Sequence, residues 1–219
     1  MEFLWFGHAG PPVVMFPTSM GRFHQYEDFG LVSALSGKAD RGELQLVCAD
    51  SVDEESWYNE AIPVENRAQR HVQYDAYLHD ELVPHVLQRS GADKIATFGA
   101  SFGAYHAANY AGRYPERVRK AVLFSGVFDI HRFLGGFWND SCYFHCPSVY
   151  FANLDDTWVR RLSNIQWILA TGEEDSLINE NRQFSGLLSS KGIPHYFEVW
   201  PGFGHDWPWW KQHISRFLP

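Results

Sequence analysis

The chain has few cysteines and few basic residues, and both shortages exclude classes of protein. Among 219 residues there are three cysteines, Cys48, Cys142 and Cys146. They are too few for a disulfide framework and are typical of a reducing compartment. Lys and Arg number 18 against 26 Asp and Glu, which gives a formal net charge of -8. Because phosphate binding needs clustered basic side chains, we expect no nucleic-acid partner.

Long apolar runs are also missing from the sequence. No stretch approaches the roughly 20 consecutive apolar residues that a membrane-spanning helix needs. Met1 leads directly into an apolar run, without the basic segment and cleavage site of a secretory leader. We therefore expect a cytoplasmic protein without a membrane partner, and the length fits one domain that folds without disulfides. Nothing in the sequence indicates the oligomeric state.

One short cluster, formed by Cys142, His145 and Cys146, contains ligand types that zinc prefers. A structural zinc site needs a second half at a characteristic spacing, and the sequence offers none. The sequence also lacks the His-x-x-x-His and His-Glu-x-x-His pairs by which zinc hydrolases hold their metal. We therefore predict no metal and no cofactor.

Short apolar runs bounded by turn residues predict buried strands. These runs are residues 3–6, 13–16, 44–48, 95–98, 121–124, 165–170 and 196–200. Helical spacing of apolar residues follows at 77–87, 104–114, 179–188 and 209–217. The alternation predicts an α/β fold with a mainly parallel central sheet flanked by helices on both faces. The first two runs also fit an antiparallel hairpin at the sheet edge.

A segment at about residues 131–161 has no clear strand or helix period, yet it is rich in aromatic side chains. A connection of this length is more often functional than idle. Two interpretations are open: an aromatic cluster packed under a loop, or a cap that faces the substrate over the catalytic end of the sheet. We predict a single domain, residues 1–219, with this cap-like insertion.

The motif Gly-Ala-Ser-Phe-Gly at 99–103 lies between an apolar run and a helix of small residues. This is the strand–turn–helix setting of a nucleophile elbow, in which a strained turn holds the serine hydroxyl exposed. Side chains in place of the two glycines would collide with the adjoining strand and helix. Ser101 is therefore the predicted nucleophile.

A serine hydroxyl needs a base and a third group that fixes the tautomer of that base. In the order nucleophile, acid, histidine, the chain offers Thr-Gly-Glu-Glu-Asp at 171–175 and Pro-Gly-Phe-Gly-His at 201–205. Each segment follows a predicted strand, at the edge where open α/β sheets place their sites. We predict that His205 is the base and that Asp175 orients it.

Other side chains compete for these two roles. Glu173, Glu174 and Asp206 are carboxylates close to the predicted acid. An aspartate that opens a helix is also a common cap, which is the structural alternative for Asp175. His106 is near the nucleophile in sequence, but its place in the following helix should point it away.

The negative charge that develops on the substrate oxygen needs preorganised donors. The first should be the backbone N–H of Phe102, immediately after the nucleophile. The second should follow the 13–16 strand, where the sequence reads Pro-Thr-Ser-Met-Gly. Ser19 or Met20 is the predicted donor, and a plain tight turn is the alternative.

Several further motifs carry a family resemblance. They are Gly-Ala-Ser-Phe-Gly-Ala-Tyr-His-Ala-Ala at 99–108, Tyr-Pro-Glu-Arg at 114–117, Phe-Ser-Gly-Val-Phe-Asp at 124–129, Gly-Glu-Glu-Asp at 172–175 and Gly-His-Asp-Trp at 204–207. With them the chain resembles the Putative esterase branch of the α/β-hydrolase superfamily, which contains esterase D-like enzymes and the antigen 85 mycolyltransferases. The resemblance implies acyl transfer from an ester through an acyl-serine, usually to water and without a cofactor. It implies Ser101, Asp175 and His205 in the roles given above.

The resemblance also implies a loop beside the site at residues 50–58, so Trp57 or Tyr58 is a candidate for the substrate pocket; a core position is the equal alternative for either. Trp207, two residues after the predicted base, is a third candidate, and packing of the final helix is its alternative. One departure concerns the oxyanion loop, where the His-Gly or Asp-Gly pair common in the family is replaced by Pro-Thr-Ser at 17–19.

We expect a serine esterase that acts on small-molecule esters. An acyltransferase would use the same residues and differ only in whether a second substrate outcompetes water for the acyl group. A binding protein that kept the fold without catalysis is a third hypothesis, which the complete set of three side chains disfavours.

Overall fold

The computed structural model describes residues 1–218 and has a seven-stranded sheet at its centre. The strands are β1 (Phe3–Phe6), β2 (Pro12–Phe16), β3 (Gln45–Ala49), β4 (Ile95–Ala100), β5 (Val118–Phe124), β6 (Gln166–Gly172) and β7 (His195–Trp200). Their spatial order is β1-β3-β2-β4-β5-β6-β7. Every pairing is parallel except that of β1, which runs antiparallel at one edge. The predicted mainly parallel sheet is confirmed.

The position of β1 corrects one expectation. The first two runs do not form a hairpin: β1 pairs with β3, with Phe3 opposite Ala49. Both edges of β2 are occupied by parallel partners, β3 on one side and β4 on the other. Gly7 and Gly10, both at positive φ, carry the connecting chain across to this inner position.

Helices connect the strands. They are α1 (Gln25–Asp28), α2 (Leu31–Asp40), α3 (Val64–Tyr77), α4 (Val83–Ser90), α5 (Phe102–Arg113), α6 (Asp140–Tyr143), α7 (Pro147–Tyr150), α8 (Asp156–Leu162), α9 (Ile178–Ser190) and α10 (Trp207–Phe217). A π-helical turn at Leu78–Leu82 joins α3 to α4, and Pro84 lies in the first turn of α4, where its missing N–H is tolerated. Within residues 1–218, no helix is long and apolar enough to cross a membrane.

The two faces of the sheet bury separate cores. Along β2, Val14 belongs to a buried cluster with residues of α3, α4, α5 and α9, whereas its neighbour Val13 belongs to a second cluster with residues of α2 and α10. This is the alternation that a strand imposes on successive side chains. Helices therefore cover both faces, as predicted, and the carboxyl edge of the sheet is left for the connecting loops.

The segment at 131–161 consists of short helices rather than a loop. α6 and α8 each begin at a side-chain cap, supplied by Asn139 and Asp155. Helices of four to seven residues are too short to show a hydrophobic period. Part of the segment, including Leu134 and Cys142, packs in a third cluster with residues of α5. That this segment acts as a substrate-facing cap stays a prediction.

Candidate active site

The turn between β4 and α5 holds Ser101 in a strained conformation, with φ 56° and ψ −124°. Residues with a Cβ atom rarely adopt positive φ, and they keep it only where the surroundings fix it. Here the Ser101 N–H donates to the carbonyl of Phe124 and the Ser101 carbonyl accepts from the N–H of Ala104. These bonds lock the turn and leave the serine hydroxyl partly exposed.

The two glycines of the motif allow this turn to pack closely. A Cβ atom on Gly99 would lie 2.0 Å from the carbonyl oxygen of Gly103. A Cβ atom on Gly103 would lie 2.2 Å from the carbonyl oxygen of Phe16 in β2. Both clashes are with backbone, which cannot move aside. The motif is therefore required by the close approach of α5 to two strands.

A hydrogen-bonded chain of three side chains begins at this turn. His205 Nε2 lies 3.0 Å from Ser101 Oγ. His205 Nδ1 lies 3.0 Å from each carboxylate oxygen of Asp175. Asp175 follows β6 and His205 follows the adjacent parallel strand β7, so both lie at the same carboxyl edge as the turn after β4. With Nδ1–H donating to Asp175, the Nε2 of His205 is free to accept the serine proton.

The environment of Asp175 keeps its carboxylate charged. Burial alone would raise the pKa of Asp175, but hydrogen bonds from His205, from Ser125 and from the backbone N–H of Leu177 outweigh it. The net result is a pKa below the ordinary value of 3.8. An ionised carboxylate at this position can stabilise a positive charge that forms on the imidazole.

Two residues that sequence reasoning missed support the His205–Asp175 pair. The indole N–H of Trp210 donates to Ser125 Oγ over 3.1 Å. The Trp210 ring also lies edge-on to the His205 ring, with centroids 5.1 Å apart. Ser125 is buried at φ 49° directly after β5. Its place just past a strand at the catalytic edge was the signal that would have found it.

The competing side chains are engaged elsewhere. Asp206 caps α10 by accepting from its first backbone N–H. Glu173 accepts from a backbone N–H in the turn after β7, and Glu174 is exposed. His106 is buried and bonds to Asp53. Among the carboxylates near the predicted acid, Asp175 is the one bonded to His205.

The first predicted oxyanion donor lies at a favourable place. Phe102 is the first residue of α5, where a backbone N–H has no partner within the helix. This end of a helix also carries the positive end of the backbone dipole. The N–H of Phe102 is thus available next to Ser101.

In the loop at 17–21, most backbone N–H groups already have acceptors, which leaves few candidates for the second oxyanion donor. The N–H of Thr18 donates to a glutamine side chain, and the N–H of Gly21 donates to a carbonyl within the loop. The N–H of Met20 donates to a buried carboxylate over 3.0 Å. Within the described residues, the N–H of Ser19 has no acceptor.

The three pocket candidates have different surroundings. Tyr58 is partly buried, and its hydroxyl donates to Ser19 Oγ over 2.8 Å, which places it beside the loop at 17–21. Trp57 is fully buried and donates to the hydroxyl of Tyr105. A ring without exposed area cannot meet a ligand from solvent, so Trp57 as a pocket residue is corrected to a core residue. Trp207 stacks on the exposed ring of Phe29, in the turn between α1 and α2, with ring centroids 4.3 Å apart.

A cleft of about 500 Å³ lies away from this site. It is lined by Arg113, Phe144 and Trp158, among others. Ser101 precedes the first residue of α5 and Arg113 is its last, so roughly 18 Å of helix separates the two. The cleft therefore belongs to the opposite end of α5.

The residues considered for metal binding separate in the structure. The three cysteines are free and buried, and His145 pairs with the amide of Asn109. A different group, Asp129, His131 and Cys146, has ligand atoms within 4.8 Å of one another. Within that group the Asp129 carboxylate already bonds to the imidazole of His131 over 2.7 Å. The absence of a bound metal stays a prediction.

Comparison with known proteins adds a family match and a set of similar folds. A sequence profile of the Esterase family, described as Putative esterase, matches residues 26–219. An acetyl esterase from Caldicellulosiruptor saccharolyticus is 38% identical over 48 residues, a segment that covers 22% of this chain and 18% of that enzyme. The match thus spans less than a fifth of the curated relative.

Solved structures resemble nearly the whole chain. For a ferulic acid esterase the TM-score is 0.77 at 19% identity, and the match covers 97% of this chain and 84% of the esterase. For S-formylglutathione hydrolase FrmB from Staphylococcus aureus the TM-score is 0.66 at 23% identity, and the match covers 95% of this chain and 80% of the hydrolase. MPT51 (FbpC1) from Mycobacterium tuberculosis gives 0.66 at 17% identity, with 98% and 90% covered. At these identities the likeness is one of fold, and the predicted α/β-hydrolase fold is confirmed.

Proposed function

Because the chain belongs to the Esterase family whose profile it matches over residues 26–219, we propose that it is a serine esterase that cleaves carboxylic esters through an acyl-serine intermediate. The observation that supports this most directly is the unbroken hydrogen-bonded chain from Ser101 through His205 to Asp175. Such a chain supplies a nucleophile, a base and a group that holds the base in one tautomer.

In the first half of the reaction, Ser101 Oγ attacks the ester carbonyl carbon while His205 Nε2 takes the hydroxyl proton. Asp175 stays ionised and stabilises the imidazolium. The substrate oxygen becomes negative and accepts hydrogen bonds from the N–H groups of Phe102 and Ser19. When the tetrahedral intermediate collapses, His205 gives its proton to the departing alcohol and the acyl group remains on Ser101.

In the second half, water takes the place of the alcohol. His205 Nε2 removes a proton from the water as it attacks the acyl-serine, and then returns that proton to Ser101 Oγ. About 28% of the His205 side chain is exposed, so the imidazole is in contact with solvent. An acyltransferase would use the same step with an alcohol in place of water. Every proton and charge is handled by groups of the chain, so the reaction needs no cofactor.

The substrate class we propose is a small-molecule carboxylic ester. The similar proteins are named for acetyl esters, for ferulic acid esters and for S-formylglutathione, which share an acyl carbon bonded to a leaving oxygen or sulfur. A short, activated ester such as p-nitrophenyl acetate tests the shared chemistry without assuming a natural substrate.

Steady-state hydrolysis of p-nitrophenyl acetate tests the proposal. Ser101→Ala should lower kcat by about 10⁴-fold or more, because the nucleophile and base act as a unit. His205→Ala should lower kcat to a similar extent. His195→Ala is the matched control: this histidine bonds to Ser185 at the far end of β7 and should keep kcat within about twofold. Ser101→Ala with more than a tenth of the wild-type kcat would refute the proposal.

A further inference from the structure

The oxyanion loop, residues 17–21, is tied to a buried carboxylate. Asp53 Oδ2 accepts from the N–H of Met20 over 3.0 Å, and Asp53 Oδ1 lies 2.9 Å from Nε2 of His106. The side chain of Asp53 has no exposed area, and that of His106 has 1%. Removing one partner from such a pair leaves an uncompensated polar group in the interior.

The loop needs this tie because one of its residues is strained. Met20 has φ 55°, which is rare for a residue with a side chain. A strained conformation of this kind persists only where other contacts fix it. The bond from the Met20 N–H to Asp53 is one such contact. This bond fixes the peptide plane between Ser19 and Met20. The Ser19 N–H lies in the adjoining plane, separated from it only by the φ and ψ of Ser19, so the tie limits how far that N–H can turn.

A second contact comes from the same turn as Asp53. The N–H of Tyr58 donates to the carbonyl of Asp53 over 3.1 Å, and the hydroxyl of Tyr58 donates to Ser19 Oγ over 2.8 Å. The turn therefore holds the oxyanion loop at two adjacent residues, once through a backbone N–H and once through a side-chain hydroxyl.

His106 connects these contacts to the first oxyanion donor. It lies four residues after Phe102 on α5, which is one helical turn. The two rings pack edge-on with centroids 5.1 Å apart. Helix α5 thus begins with Phe102, the first proposed donor. Through the hydrogen bond from His106 to Asp53, the same helix is connected to the loop that contains the second donor.

We propose that His106 and Asp53 are positioning residues that hold the Ser19 N–H at a fixed distance from the Phe102 N–H, so that the two donors converge on one oxygen. The proposal rests on the proposed function, because the oxygen is that of an ester carbonyl during attack by Ser101. A buried pair is not required for stability alone, since apolar residues of similar volume often replace such pairs without loss. The position of the His106–Asp53 pair against the loop at 17–21 explains why a polar pair is buried there.

Hydrogen exchange measured by NMR tests the tie independently of activity. In His106→Phe the imidazole donor is lost, and exchange of the Met20 amide should become at least about tenfold faster, since opening of the loop exposes it. His106→Gln keeps an N–H donor near the position of Nε2 and should keep most of the protection. His145→Phe is the matched control, because it removes another buried histidine without contact to Asp53.

Kinetics with paired substrates tests the consequence for the site. Removal of an oxyanion donor lowers kcat by about 10²–10³-fold, so displacement of the Ser19 N–H in His106→Phe should lower kcat for an oxygen ester by about 10- to 100-fold. KM should change by less than about threefold. A thionoester, whose sulfur accepts hydrogen bonds weakly, should lose much less, so the oxygen-to-sulfur rate ratio should fall. A general loss of folding would lower both rates together and leave the ratio unchanged.

The double variant Asp53→Leu/His106→Phe covers the case in which His106→Phe alone does not fold, because it leaves no buried charge unpaired. It should fold, lose the protection of the Met20 amide and show the same fall in the rate ratio. Unchanged Met20 exchange in these variants would overturn the proposal even if the enzyme proves not to be an esterase. Faster exchange with an unchanged rate ratio would overturn the link to the oxyanion. Loss of activity in Ser101→Ala is separate evidence that concerns only the proposed function.

Discussion

The two sides of the candidate site are built in different ways. On one side, His205 and Asp175 follow adjacent parallel strands, and the imidazole keeps contact with solvent. On the other side, the loop at 17–21 is held from behind by Asp53 and His106, which are buried. The histidine side therefore consists of side chains that follow neighbouring strands. The loop side consists of a backbone loop held by buried polar side chains.

This difference predicts different responses to substitution. On the histidine side, a single isosteric change removes a charge at the proposed reaction centre and leaves the backbone in place. On the loop side, the same kind of change displaces a backbone N–H and also disturbs a buried network. The histidine side should show the larger kinetic effects with small changes in stability. The loop side should show smaller kinetic effects with larger changes in stability.

The largest effect that sharpens the comparison is expected for Asp175→Asn. It should lower kcat by roughly 10³- to 10⁴-fold, because the amide favours the wrong imidazole tautomer and cannot stabilise the imidazolium. Glu174→Gln and Asp206→Asn are the controls, and each should lower kcat by less than about tenfold, since neither carboxylate bonds to His205. Circular dichroism checks the fold of each variant. A large loss in either control with an active Asp175→Asn would reassign the acid.

A smaller effect, on stability, should separate the two sides by pH. Burial lowers the pKa of His71 and His145, near the loop side, well below the ordinary 6.5, with nearby positive charges adding to it. Below pH 6.5 these two histidines are protonated in the unfolded chain but remain neutral in the native state. The free energy of unfolding therefore falls as the pH falls. Each such histidine contributes up to about 1.4 kcal/mol per pH unit to the free energy of unfolding.

Asp175 contributes to stability in a lower pH range than the two histidines. Its native pKa is below 3.8, so its contribution is present above that value and is lost as the pH falls further. Urea unfolding between pH 6.5 and 5 should therefore show a shallower slope for His145→Phe than for the wild type, and an unchanged slope for Asp175→Asn. Equal slopes in His145→Phe and the wild type would show that the buried histidine is not the source of the acid sensitivity.

The histidine side was accessible to sequence analysis because its signals are local. Buried parallel strands are continuous apolar runs, and each predicted run overlaps a strand and begins at most one residue before it. The residues proposed to carry the chemistry follow those runs within a few positions. Ser101, Asp175 and His205 could therefore be chosen from the strand pattern and from the turn that follows each strand, before any contact between them was visible.

The loop side was not accessible, because its signals are distant in sequence and hidden in composition. Asp53 and His106 are 53 residues apart and meet only in the folded chain. Helix α3 was missed for a related reason: its buried residues include His71 and Asp75, so its core-facing side shows no clear apolar period. From the sequence alone, such polar residues are predicted to be exposed. Only the structure shows that they are buried and paired with each other.

Labelling with a fluorophosphonate tests the central claim most directly, because this reagent traps a serine that has both an adjacent base and an oxyanion site. Intact-mass spectrometry should show one adduct per chain, and peptide mapping should place it on Ser101. Ser101→Ala should show none, and Asp175→Asn should react much more slowly than the wild type. Stoichiometric labelling of the Ser101→Ala chain, or an adduct mapped to another residue, would contradict the account.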